Sequence, residues 1–103
     1  MYQISFYVPE KDLELVKNAM FNAGAGKFNN YENCAWQTIG MGQFKPINNA
    51  NPTIGALDEL EAIEEYKVEM MCVEDNLQIV IEAMKFAHPY EQVAYSVYKM
   101  DNI

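Results

Sequence analysis

Leu77-Gln78-Ile79-Val80-Ile81-Glu82-Ala83-Met84-Lys85-Phe86-Ala87-His88-Pro89-Tyr90-Glu91 carries an apolar helix into a turn, and the rest of the chain can be ordered around it. Leu77, Val80, Ile81 and Met84 recur at i, i+3, i+4 and i+7, the stripe by which a helix faces a core. Glu74-Asp75-Asn76 opens that helix with acids where the dipole favours them, and Lys85 suits its other end. Pro89 disfavours helix at His88 and forces a corner. The corner gathers an imidazole, a phenol and a carboxylate, and it holds the chain's only histidine.

Strand patterns flank this helix. Downstream, Val93 to Met100 alternates Val93, Tyr95 and Val97 against Ala94, Ser96 and Tyr98. Upstream, Lys67 to Val73 sets Val68, Met70 and Cys72 against Glu69, Met71 and Val73, and Leu60 to Tyr66 reads as a shorter strand. The first half has the same order. Tyr2, Ile4, Phe6 and Val8 alternate with Gln3, Ser5 and Tyr7. Pro9-Glu10-Lys11-Asp12 opens a helix with the stripe Leu13, Val16 and Met20, flanked by Ala19 and Ala23, and Gly24-Ala25-Gly26 ends it. Asn29-Asn30 marks a turn. Tyr31 to Thr38 reads as the second strand, with Cys34 and Trp36 on one face. Gly40 to Gly55 reads as a long loop or irregular hairpin, and Phe44, Pro46 and Ile54 predict that it packs.

The order β-α-β-(loop or extra strand)-β-α-β predicts an α+β, ferredoxin-like βαββαβ fold, with an extra hairpin or loop at 40–66. Two helices would cover one face of a four-stranded antiparallel sheet. The other face would carry Ser5, Tyr7, Ala94, Ser96 and Tyr98, or their opposites in the alternative register. A face so poor in charge predicts burial against another subunit.

Composition narrows the function classes. At 103 residues, half of them hydrophobic, residues 1–103 read as a single domain with its own core. The net charge is -8, with seven lysines, no arginine and fifteen acids, which argues against nucleic acid and anionic membrane as partners. Asp58, Glu59, Glu61, Glu64, Glu65, Glu69, Glu74 and Asp75 surround Lys67 as either a solvated rim or a seat for a cation or basic partner. No apolar run is long enough to span a bilayer. Met1-Tyr2-Gln3-Ile4-Ser5-Phe6 lacks the features of a signal peptide, so a cytoplasmic location is expected. Cys34 and Cys72 match no zinc or redox spacing. Both fall in expected strands, as buried free thiols of a reducing compartment.

Two motifs carry a family resemblance across the whole chain. Gly24-Ala25-Gly26-Lys27-Phe28-Asn29-Asn30-Tyr31-Glu32-Asn33-Cys34, continued by Gly40-x-Gly42-x-Phe44-x-Pro46 and Asn51-Pro52-x-x-Gly55, resembles a segment of the YqfO or Nif-three-like (NGG-one-interacting factor) proteins. Ala87-His88-Pro89-Tyr90-Glu91-x-x-Ala94-Tyr95 resembles that segment's ending. Phe28 and Asn29 stand where the motif has Ile and Gly, and Gln92 where it has a second Glu. The resemblance implies a stand-alone version of a CutA/PII-like domain that the larger proteins carry as an insert. It further implies a homo-oligomer, with a trimer preferred to a dimer. The insert lacks the dinuclear-metal ligands of the larger proteins, so their hydrolase activity is not expected to carry over.

The leading expectation is a non-enzymatic binding or regulatory module. A small molecule or protein would enter a cleft between the Gly40–Gly55 loop and the His88–Glu91 corner. The candidate contacts are His88, Tyr90, Glu91, Tyr31, Gly40, Gly42 and Phe44. The alternative is a divalent-metal protein using His88, Glu91 and Cys34, with Glu64 a further ligand. A small hydrolase ranks third, and no catalytic residue is named, because no Ser-His-Asp or Cys-His set is present. The structural reading of the corner has His88 capping helix carbonyls, Tyr90 packed on the sheet and Glu91 bonded to loop backbone. The aromatic set Tyr31, Trp36, Phe44, Tyr90, Tyr95 and Tyr98 would line either a pocket or the core and interface. The loop glycines could cradle an anion, though no Gly-Lys-Ser/Thr pattern occurs.

Overall fold

The computed structural model describes Met1–Ile103. The elements are β1 (Tyr2–Val8), α1 (Glu10–Asn22), β2 (Trp36–Phe44), β3 (Glu61–Cys72), α2 (Glu74–Ala87) and β4 (Tyr95–Lys99). The sheet runs β2-β3-β1-β4 and every pairing is antiparallel. This is the ferredoxin-like βαββαβ arrangement.

Alternation builds the core. Ile4, Phe6 and Val8 of β1 and Val68, Met70 and Cys72 of β3 share one face of the sheet. Against it pack Leu13, Val16 and Met20 from α1 and Val80, Ile81 and Met84 from α2, all buried. Both helical stripes are those the spacing predicts. The opposite face is uncovered. There Ser5 lies between Glu69 and Ser96, Gln3 between Met71 and Tyr98, and Tyr7 beside Lys67. Ser5, Tyr7, Ser96 and Tyr98 therefore face the expected way. Lys67 and Glu69 give this face more charge than the first and last strands suggest.

The turn after α1 depends on backbone freedom. Gly26 has φ +76°. Its N–H donates to the Met71 carbonyl and its own carbonyl accepts the Cys34 N–H, each at 2.8 Å. A Cβ at this position would stand 2.7 Å from the Phe21 ring and 2.9 Å from the Cys34 oxygen, so a side chain would force the turn to shift. Asn29 takes φ 51°, as the turn requires of the residue replacing glycine.

Three boundaries differ from the sequence expectation. The second strand is Trp36–Phe44 rather than 31–38, so Gly40 and Gly42 lie in β2 and the true loop is 45–60. Seven of its nine residues are exposed, because it is an edge strand with little helix behind it; no alternation marks it. Cys34 precedes the strand and is only half-buried, whereas Cys72 is buried as expected. The two short strands expected at 60–73 are one 12-residue strand, Glu61–Cys72. The last strand begins at Tyr95, leaving Val93 and Ala94 in the corner.

Candidate functional site

His88 closes α2. Its N–H donates to the Met84 carbonyl at 3.0 Å, and its φ of -73° and ψ of 138° are the extended geometry that Pro89 demands. The ring is only 6% exposed. Nδ1 accepts the Tyr90 N–H at 3.1 Å, so it carries no proton. Nε2 lies 2.6 Å from the Tyr7 carbonyl and donates to it. The imidazole is therefore the neutral Nε2–H tautomer with both nitrogens engaged. Burial pushes its pKa below 6.5, against the opposing pull of the Tyr7 carbonyl and the negative charges of Asp12 and Glu65. The ring meets Phe6 edge-on at 6.4 Å and Tyr90 at 4.7 Å. The helix-carbonyl cap expected of the side chain is replaced by a bond to β1, 81 residues away in sequence.

Tyr90 donates its phenol to Glu65 Oε2 at 3.2 Å. Burial and then the Glu65 charge push its pKa up. Glu65 reaches this position because Gly42 has no side chain: a Cβ on Gly42 would fall on Glu65 Oε1. Glu91 Oε2 accepts the Asn51 N–H at 3.0 Å, the bond to loop backbone expected of it. Thr53 Oγ1 donates to the Pro89 carbonyl at 2.7 Å. Two hydrogen bonds thus clamp the 45–60 loop onto the corner. Pro46 is buried, and Phe44 and Ile54 are half-buried, so the loop does pack.

Between loop and corner lies a cleft of about 620 Å³. Residues 43–50, 52–54 and 90–92 line it with Tyr7, Glu65 and Ala94. Of the candidates named from sequence, Phe44, Tyr90 and Glu91 reach this cleft. His88 is sealed off from it and holds the corner in shape. Gly40 and Gly42 border an adjoining depression of about 530 Å³ that shares Tyr7, Gln43 and Glu65. Tyr31 lines neither; it is exposed in the small bridge Phe28–Tyr31. Of the wider aromatic set, Trp36 and Tyr98 stay exposed, at 68% and 61%. No group of three or more His, Cys, Asp or Glu side chains is placed to hold a metal ion, so His88, Glu91 and Cys34 do not form one ligand set.

Tyr7, Glu65 and Thr53 were missing from the sequence candidates. The usable signal for Glu65 was a glycine within a strand, which marks close approach of a neighbouring group. In the sequence this glycine reads as loop, because no alternation marks the strand around it.

No protein-family model matches the chain. A "GTP cyclohydrolase 1 type 2 homolog" of Listeria monocytogenes is 43% identical over 100 residues, covering 96% of this chain and 27% of that protein. The crystal structure of a Bacillus cereus protein related to NIF3 superposes with a TM-score of 0.85 at 37% identity, over 98% of this chain and 26% of the other. A PII-like CutA protein from Nostoc sp. superposes with a TM-score of 0.71 at 13% identity, over 99% of this chain and 83% of the other, which shows a shared fold. The chain spans about a quarter of the length of the curated relatives it matches. Over about a quarter of their length the chain is similar to the NIF3-related, GTP cyclohydrolase type 2-like proteins, and its fold is CutA/PII-like.

Proposed function

We propose that this chain is a non-enzymatic binding or regulatory module whose ligand occupies the cleft between the 45–60 loop and the His88–Glu91 corner. The observation that carries this reading is the cleft itself. Its volume of about 620 Å³ falls among those of small-molecule sites. Its walls are held in place before any ligand arrives, by the Asn51–Glu91 and Thr53–Pro89 bonds on the loop side and by the buried imidazole beneath the corner. Such preorganisation lowers the ordering cost of binding.

The module works as a homo-oligomer, a trimer before a dimer. The support is the free edge of β2, long and exposed, beside an uncovered sheet face bearing Trp36 and Tyr98. The chemistry attached to the relatives' name belongs to proteins about four times as long.

Amide NMR of the purified chain, titrated with a small-molecule fragment panel, tests the cleft. Shifts should cluster at 43–54 and 90–94, and the paired substitution Phe44→Ser with Tyr90→Ala should abolish them. Binding that maps elsewhere, or survives this pair in a folded variant, overturns the assignment. Addition of zinc to the same samples decides the metal alternative: stoichiometric uptake by wild type, lost in Glu91→Gln, would replace the small-molecule reading with a metal site.

A further inference from the structure

We propose that the cleft selects a small organic cation, an ammonium group carried on an apolar or aromatic body. This deepens the binding reading above and rests on it. The body would be taken by the rings of Tyr7, Phe44 and Tyr90. Aromatic faces attract cations as well as apolar surface.

The charge would be met by Glu65 and Glu91. Each spends one carboxylate oxygen on a bond that fixes its position, from the Tyr90 phenol and from the Asn51 amide respectively. Neither makes an ion pair within the chain, whose two salt bridges are Lys17–Glu14 and Lys67–Glu69. Lys45, an exposed residue, is the one cation in the lining. The negative field extends beneath the corner, since Asp12 and Glu65 both strengthen proton binding at His88 and Tyr90.

Two other ligand classes fit these observations less well. A polyphosphate would add negative charge to a chain already at -8 that contains no arginine. A bare metal ion would need several converging donors, and no three acids, His or Cys are so placed. An organic cation can instead reach two separated carboxylates across an aromatic wall.

Three probes with one aryl body separate the charge classes: tyramine, neutral para-ethylphenol and anionic phloretate. Titrated into the full chain and followed by cleft amide shifts, tyramine should bind about tenfold more tightly than either comparator. The pair Glu65→Gln with Glu91→Gln keeps an oxygen acceptor for Tyr90 and Asn51. It should bring tyramine down to the para-ethylphenol affinity while leaving para-ethylphenol unchanged. Equal binding of all three, or preference for phloretate, overturns the cation inference and leaves the binding reading standing. So does silence of all three where the fragment panel finds other cleft ligands. Tyramine affinity that survives the Gln pair also overturns it.

Discussion

A histidine buried neutral acts as an acid sensor whether or not function uses it. The folded pKa of His88 lies below 6.5, so the unfolded chain binds the extra proton first as pH falls. Its contribution to stability is complete above 6.5 and is lost as pH drops from there toward the folded value. Urea unfolding at about pH 7.5 and about pH 5.5 should show wild type losing more stability than His88→Ala loses over the same interval. His88→Ala should itself cost about 2–4 kcal/mol at neutral pH, through the cavity and two abandoned hydrogen-bond partners. Gly42 permits a second residue-scale test. Gly42→Ala must push the Glu65 carboxylate aside and so remove the acceptor of the Tyr90 phenol. A loss of about 1–2 kcal/mol is expected. Spectrophotometric titration should also show one tyrosine ionising at lower pH than in wild type, since one of the causes holding it up is gone.

At the scale of elements, legibility followed burial on one face. β1, α1 and α2 each turn a single face to the core, so their periods of two and 3.6 are written in Ile4-Phe6-Val8, Leu13-Val16-Met20 and Val80-Ile81-Met84. β2 has no such face. Its glycines and exposed Met41 carry no period, and the pairing with β3 that makes it a strand is non-local. The candidate site inherited that blind spot. Phe44, Tyr90 and Glu91 were legible as loop and corner residues, whereas Tyr7 and Glu65 join the cleft only through sheet register. The two faces of α2 give a direct check. Met84→Ala should cost about 2–5 kcal/mol in chemical denaturation, because Met84 is fully buried beneath the sheet. Phe86→Ala, at a position 94% exposed, should change stability by no more than about 0.5 kcal/mol.

For the whole molecule, the principal axes of 46 × 26 × 24 Å describe an elongated body. Part of that length is hairpin: β2 and β3 remain paired from Gly40 to Phe44, beyond the last β1 pairing at Val8–Tyr66. An exposed nine-residue edge of this kind invites strand pairing with another copy. Met41→Lys places a charge on that edge without touching the core. Native mass spectrometry should show the wild-type assembly shifted toward monomer, with unchanged circular dichroism. An unaltered assembly would remove β2 from the interface.

The bond from the His88 ring to the Tyr7 carbonyl spans 81 residues of the chain, and the same ring holds the Tyr90 amide. Local fraying at the corner cannot free that amide while the imidazole stays bonded to the Tyr7 carbonyl and packed against Phe6, both in β1. Its hydrogen exchange should therefore follow global opening and track urea like the core of β1. Neighbouring amides of the clamped loop, such as Asn51, should exchange through smaller openings. A residue outside every helix and strand thus becomes a clock for unfolding of the whole domain.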